Sequence, residues 1–295
     1  MLDWRVDTFL DVCETLNYTH TARRLSITQP AVSQHISWLE KQLGVTLFDR
    51  CGRSLVLTDA GKLSRDLLLS QRNDEARLKQ ELVSLKSKNI TLVVGATLTA
   101  GEFILAEPLA RWCAQHPFVD VRIDVADTAV LLQKLDNGLI DCALVEGIFD
   151  STRYSCKEWS YERMICVENP NGANYSSELL GFTDLLDETL LIREAGSGSR
   201  AVLEAALARK NLVPSSFNRV IEANEIGIVL EMVTHGFGIT FAYESAVQSR
   251  IDRKELREIN LYEVGLGHSI NFVWQRDSFF SDRFERLFSE LKELA

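Results

Sequence analysis

The apolar positions of the chain change their period along its length, and each period predicts a different element. Phe9, Val12, Cys13 and Leu16 fall at helical spacing and predict an amphipathic first helix. Asn17-Tyr18-Thr19 interrupts it, and Thr19 is placed to cap a short second helix carrying Ala22 and Leu25. Ser26-Ile27 reads as a turn. Thr28 is the expected N-cap of a third helix, with Pro30 in the first turn, where a missing N–H breaks no bond. Ala31, Val32, Ile36, Leu39 and Leu43 give that helix one apolar face, and Gly44 stops it. Two β-prone runs, 45–48 and 54–57, flank Asp49-Arg50-Cys51-Gly52-Arg53, a turn with two arginines at its tip. Residues 58–87 are polar, proline-free helix formers in which Leu63, Leu67, Leu78, Leu82 and Leu85 make a partial seam. A single long helix with such a seam is expected to pair with its own kind, the alternative being a solvated connector.

Beyond residue 90 the period alternates between strand and helix. Strands are predicted over 91–95, 119–125, 142–145, 164–167, 189–192, 219–222, 239–242 and 270–274. Helices are predicted over 102–115, 130–135, 200–210, 226–235 and 279–294. Repeated βαβ order implies an open, largely parallel sheet.

Charge sharpens this division. The chain carries a net charge of −10, which by itself argues against nucleic acid. Residues 1–90, however, hold 13 Lys/Arg against 11 Asp/Glu, so the acidity belongs to the rest of the chain. A near-neutral head must bind DNA through locally placed charge, which makes affinity sensitive to salt and to pairing of heads. No apolar run reaches the ~20 residues that span a bilayer, and the start of the chain lacks a signal-peptide pattern, so a cytoplasmic location is expected. The six cysteines form no Cys-x-x-Cys pair and no Cys/His cluster of zinc spacing. They read as buried small hydrophobes or inert thiols, with a redox-sensing pair left open because pairing distance is not legible in sequence.

The sharpest feature lies between Thr19 and Arg50. Helix-turn-helix recognition requires a bracing helix, small residues at the crossing, and polar side chains near the start of the second helix that reach the major groove. Ala22 and Ala31 supply the small contacts. Gln29, Ser33 and Gln34 supply hydrogen bonding, and glutamine can hold the edge of adenine with two bonds. Arg50 and Arg53 on the wing suit phosphates or a minor groove. The plain alternative is a small helical domain with polar surface residues.

The runs Gln29-Pro30-Ala31-Val32-Ser33, Leu39-Glu40…Leu43-Gly44…Leu47-Phe48-Asp49-Arg50 and Leu57-Thr58-Asp59-Ala60-Gly61 closely resemble the DNA-binding domain of LysR-type transcriptional regulators. The resemblance implies that Thr28, Gln29, Pro30, Ser33, Gln34, Arg50 and Arg53 lie at the DNA. It extends over essentially the whole chain and implies an α/β protein with an N-terminal all-α winged helix-turn-helix over 1–58. A long dimerisation helix over 59–88 and a two-lobed effector domain similar to periplasmic binding proteins over 89–295 complete it. Lobe 1 would comprise about 89–162 and 267–295, and lobe 2 about 163–266. Three further runs are similar to the sulfur-assimilation and carbon-fixation group of regulators: Gly95-Ala96-Thr97-Leu98-Thr99-Ala100-Gly101-Glu102, Val145-Glu146-Gly147 and Arg193-Glu194-Ala195-Gly196-Ser197-Gly198-Ser199-Arg200.

The last of these runs also has a direct chemical reading. It leaves a strand and opens a helix, with glycines that let a ligand approach the backbone and with N–H groups and hydroxyls to meet it. Arg200 is placed to add a fork for carboxylate, sulfate or phosphate. Thr97 and Thr99 occupy the matching junction of the first lobe. The expected effector site is therefore Thr97, Thr99, Gly101, Thr128, Glu146, Ser197, Gly198, Ser199 and Arg200, holding a small anion; the alternative is a Gly/Ser-rich helix entry that caps only itself. Leu105-Ala106 stands where the group has Leu-Pro, Tyr243 where relatives have Pro or Ser, and His268 where arginine is common. These departures bear on which ligand is bound. His20 and His35 are expected at the surface or facing phosphates, not as metal ligands. No metal and no cofactor are expected, since Gly236-Phe237-Gly238 lacks the remaining glycine of a dinucleotide fingerprint. The expected partners are double-stranded DNA, the effector, a second copy or a tetramer, and RNA polymerase, with no membrane. A transport-type solute-binding protein would explain the lobes but not the head, and an α/β enzyme would need a catalytic constellation that the sequence does not display.

Overall fold

The computed structural model describes residues 2–295 apart from 53, 88–89, 148, 173–178 and 263–265, and of 80 and 83–87 it describes the backbone alone. Helices α1 (Arg5–Thr15), α2 (Tyr18–Arg24) and α3 (Gln29–Leu43) close around Phe9, Val12, Val32, Ile36, Leu39 and Leu47. Thr19 does not cap α2. Asn17 does, its side-chain oxygen accepting the N–H groups of Thr19 and His20 at 2.9 and 3.0 Å, and asparagine outranks threonine in that role. Thr28 caps α3 as expected, accepting from the Ala31 N–H at 3.3 Å, and Gly44 ends it in the left-handed conformation at φ 71°. The spacing from Glu40 to Leu47 has a purpose: the Glu40 carboxylate accepts the Leu47 N–H at 2.8 Å and seats Leu47 in the core. The wing is an antiparallel pair, β1 (Phe48–Cys51) and β2 (Ser54–Leu57). Its turn is shorter than predicted because Gly52 takes φ +63° and lets Cys51 stand opposite Ser54. Arg50 consequently sits in strand β1, opposite Leu55, and not at the tip.

A long helix, α4 (Asp59–Ser87), leaves the wing. Thr58 accepts the Gly61 N–H at 2.9 Å and donates to the Thr46 carbonyl at 2.8 Å, pinning the helix start. A Cβ at Gly61 would fall 2.1 Å from the Leu47 carbonyl oxygen, so only glycine permits this seam. Leu69 of α4 completes the core of the head, whereas Leu63, Leu67, Leu78 and Leu82 are exposed; the Leu85 side chain lies outside the described residues. The polar face of α4 is docked, which the sequence reading did not foresee. Asn73 donates to the Leu135 and Asp136 carbonyls, Asp74 accepts from Ser278 and the Phe279 N–H, and Arg77 pairs with Asp141.

The remainder is one mixed sheet. Its strands are β3 (Ile90–Ala96), β4 (Val119–Val125), β5 (Cys142–Val145), β6 (Tyr154–Glu168), β7 (Thr189–Arg193), β8 (Arg219–Ala223), β9 (Ile239–Tyr243), β10 (Arg257–Ile259) and β11 (Gly267–Gln275). Between and after them come α5 (Leu98–Ala100), α6 (Ala106–Gln115), α7 (Thr128–Asp136), α8 (Gly198–Ala208), α9 (Ile226–Thr234), α10 (Glu244–Asp252) and α11 (Ser281–Glu293). The spatial order is β4-β3-β5-β11-β6-β9-β7-β8, with β10 against β6. The outer trios β4-β3-β5 and β9-β7-β8 are parallel, as the βαβ order requires, and the central pair β11-β6 is antiparallel. Strand β6 runs through both lobes: Tyr154 to Arg163 pair with β11, and Met164 to Val167 pair with β9. The sequence reading found only its buried end, because charged Lys157, Glu158, Glu162 and Arg163 break the apolar signal of the rest. Helix α10 was also missed, since it buries little beyond Ala246 and Val247.

Candidate functional site

Two constellations carry the polar residues singled out above. The first is the solvent side of α3. Val32, Ile36 and Leu39 face the core, so residues a turn apart on the other side must face water. Thr28, Gln29, Pro30 and Gln34 are exposed and Ser33 is half-buried, with Arg50 exposed on the wing beside them in sequence order. Arg53 lies outside the described residues. Ser37 and Lys41 continue the exposed stripe of α3 and were missed, although their spacing from Pro30 and Gln34 is helical. His20 is exposed, but His35 is not at the surface: it is buried, with Nδ1 3.0 Å from the Thr8 hydroxyl and its ring edge-on to Trp4. Burial, with Arg5 nearby, lowers its pKa and keeps it a neutral core residue.

The second constellation lies where the two parallel trios end. Strand β3 delivers Thr97 and Thr99, which are 3% and 2% exposed and whose hydroxyls have no hydrogen-bond partner among the described residues. Ala106, where the related group has proline, donates its N–H to the Gly101 carbonyl through a wide turn that proline could not close. Strand β5 delivers Glu146, buried, with Oε2 unpartnered. Thr128 at the start of α7 donates to the Glu146 carbonyl at 2.5 Å and fixes its backbone. From the other lobe, Ser197 and Ser199 flank Gly198 at the start of α8, their hydroxyls 3.1 Å apart. Gly198 is required there, because a Cβ would fall 2.7 Å from Cγ of Glu146. Gly147 approaches Gly198 in the same way, so a glycine from each lobe lets the lobes close on one another.

Arg200 does not offer its fork to this cluster. Its Nε donates to Glu204 at 2.7 Å and its Nη1 to Glu222 at 2.6 Å and the Arg193 carbonyl at 2.9 Å, a geometry that follows from Glu204 one turn along the helix. Gly101 donates its N–H to the Thr97 carbonyl at 2.7 Å. It lines an apolar groove of about 310 Å³ with Leu98, Leu105, Ile123, Val125 and Glu225. The cation of the cluster is Arg193, 6% exposed, which grips the Glu194 carboxylate with two bonds and keeps Nη1 unpartnered. The sequence did hold a signal for it, a charged residue ending the apolar strand Leu190-Leu191-Ile192. Tyr243, a departure in the sequence, is buried with its hydroxyl beside the Glu146 carboxyl, though neither makes an aligned hydrogen bond. Burial pushes the Glu146 carboxyl up to about 7, Arg193 and Tyr243 pull it partly back, and Asp127 adds to the rise.

Among the described residues there is no group of three or more His, Cys, Asp or Glu that could hold a metal ion, and no helix is long and apolar enough to cross a membrane. The cysteines are unpaired, and burial raises the thiols of Cys142 and Cys166, which keeps them inert.

Comparison with known proteins places both constellations in known domains. Residues 5–62 match the profile "Bacterial regulatory helix-turn-helix protein, lysR family", and residues 87–295 match "LysR substrate binding domain". A probable RuBisCO transcriptional regulator of Thalassiosira pseudonana is 22% identical over 96% of this chain and 94% of its own. The regulator CysL of Bacillus subtilis is 25% identical over 90% of this chain and 88% of its own. The regulatory domain of CcmR from Synechocystis, solved in complex with 2-PG, superposes with a TM-score of 0.62 at 18% identity, covering 69% of this chain and 96% of that one.

Proposed function

The chain belongs to the LysR family of DNA-binding transcriptional regulators, which are not enzymes, and we propose that an acidic metabolite held between its lobes controls how a paired head reads DNA. Residues 1–58 form the reading head, 59–88 the linker that pairs two heads, and 89–295 the effector domain. Lobe 1 comprises 89–162 and 267–295, and lobe 2 comprises 163–266. The DNA contacts are Thr28, Gln29, Pro30, Ser33, Gln34, Arg50 and Arg53. The effector contacts are Thr97, Thr99, Thr128, Glu146, Ser197, Gly198 and Ser199, with Arg193 in the place first given to Arg200.

The observation that carries this reading is the set of buried, unpartnered hydroxyl and guanidinium donors at the lobe junction. A buried donor without a partner costs about 1–3 kcal/mol, and a bound acid group removes that cost. CcmR with 2-PG, an anion, is a precedent for the ligand class in a related fold. The assembly is a cytoplasmic homodimer or homotetramer. It is supported by the leucine stripe of α4 and by Ile123 and Val125, which are 55% and 47% exposed on strand β4. Two heads would read an interrupted palindrome with half-sites about 34 Å, or a multiple of that, apart. Effector binding would alter the bend of the DNA and with it the contact to RNA polymerase. The test replaces Gln29, Ser33 and Gln34 together by alanine. DNA affinity should fall by more than about tenfold while stabilisation by ligand, RT ln(1 + [L]/Kd), persists. Unchanged DNA affinity would refute the assignment.

A further inference from the structure

The charges around the cleft do not match a plain anion. Among the described residues Arg193 is the one cation buried against Glu146, and two of its three guanidinium nitrogens already hold the Glu194 carboxylate. Arg200 is neutralised twice over by Glu204 and Glu222. With its cations matched, the junction keeps one uncompensated acid, Glu146, 2% exposed, which burial and Asp127 push toward its neutral form and which an ammonium would hold ionised. Oε2 of Glu146 accepts no hydrogen bond from any described residue. An anion alone would place a second negative charge beside a buried first one, which low-dielectric surroundings penalise.

The unmet groups form two complementary sets. The hydroxyls of Thr97 and Thr99 and Nη1 of Arg193 ask for an acceptor, whereas Oε2 of Glu146 asks for a donor. Resting on the reading that the effector binds at this lobe junction, we infer that the effector is a zwitterion of the α-amino-acid type, with its acid group on the Thr97, Thr99 and Arg193 donors and its ammonium on Glu146. Gly198 packs directly on the Glu146 side chain and Gly147 on Gly198, which places this carboxyl at the junction of the two lobes. The Tyr243 hydroxyl lies beside the carboxyl and favours its charged form.

The test is isothermal titration of the full chain at neutral pH with three pairs that differ only in ammonium against hydroxyl: L-serine and L-glycerate, L-aspartate and L-malate, O-phospho-L-serine and 3-phosphoglycerate. In at least one pair the ammonium member should bind more tightly by roughly ten- to a hundredfold, the value of a charge-assisted hydrogen bond. Glu146→Gln should reduce that preference to less than about threefold and leave the hydroxyl member as tight or tighter. Because the preference is read on the unaltered chain, a variant that failed to fold would not remove the test. Hydroxy acids that bind as tightly as their amino partners would overturn the zwitterion and leave the effector cleft standing. Binding by none of the six, with no thermal stabilisation, would overturn the zwitterion and count against the cleft as well, while DNA binding by the head would still hold.

Discussion

The reading head and the effector cleft put their polar side chains to use in opposite ways. In the head, the candidate DNA contacts on α3 are exposed or half-buried, and the core behind them is mainly apolar, with buried polar groups such as His35 and Thr8 paired to one another. Nothing in the fold depends on Gln29 or Gln34. In the cleft, the candidate contacts are buried, and several are unpartnered. There the fold is held in spite of these groups, and the unmet hydrogen bonds are a reservoir that a ligand can draw on. The head is therefore built to be read from outside, and the cleft to be completed from outside.

The strongest way to break this comparison is at the one place where the head tolerates nothing. Gly61→Ala sets a methyl group against the Leu47 carbonyl and should cost about 3 kcal/mol, seen as a lower thermal midpoint; an unchanged midpoint would mean the α4 seam is looser than described. Next is Glu146. An acid whose pKa rises on folding is protonated in the folded chain where the unfolded chain is already ionised. Stability therefore falls as pH rises from 4.5 to about 7, by up to about 3 kcal/mol. Glu146→Gln should flatten that slope in chemical denaturation across the window, and a slope identical to the parent would place the titration elsewhere.

Smaller effects sharpen the contrast. Gln29→Ala or Gln34→Ala should each weaken specific DNA binding by about 1–2 kcal/mol while moving stability by less than about 0.5 kcal/mol. A matching loss of stability would merge the two regions into one kind of site. Smallest of all, Arg200→Ala should leave ligand affinity within about twofold, because its half-exposed partners make it a helix brace worth about 0.5–1 kcal/mol. Arg193→Met, in contrast, should lose ligand affinity by more than about tenfold, since a buried charge-assisted bond is removed. If Arg200 outranked Arg193 in calorimetry, the assignment of the buried cation would be reversed.

How much of this was legible beforehand differs between the regions for a physical reason. In the head, helix period, caps and breakers are local signals, and Thr28, Pro30 and Gly44 act within a few residues of where they stand. The errors there were also local: Asn17 took the cap from Thr19, and Gly52 shortened the wing turn. In the cleft, Thr97, Thr99, Glu146 and the serines were legible as strand ends and a Gly/Ser helix entry. Which arginine faced them was not. That choice was decided by Glu204, Glu222 and Glu194, whose placements belong to tertiary structure. His35 was misplaced on the same ground, because its partners Thr8 and Trp4 come from another helix and the chain start. The docking of α4 through Asn73, Asp74 and Arg77 was hidden likewise, since polar residues on a helix read as solvated until their partners are known.

The central claim is that one chain couples a paired DNA reader to a ligand-filled cleft. It is tested most directly by footprinting the full chain on its operator with and without the ligand that stabilises it. The account predicts two protected half-sites about 34 Å, or a multiple of that, apart, whose spacing or intervening hypersensitivity changes when ligand is added. A single short asymmetric patch that ligand leaves unchanged would contradict it.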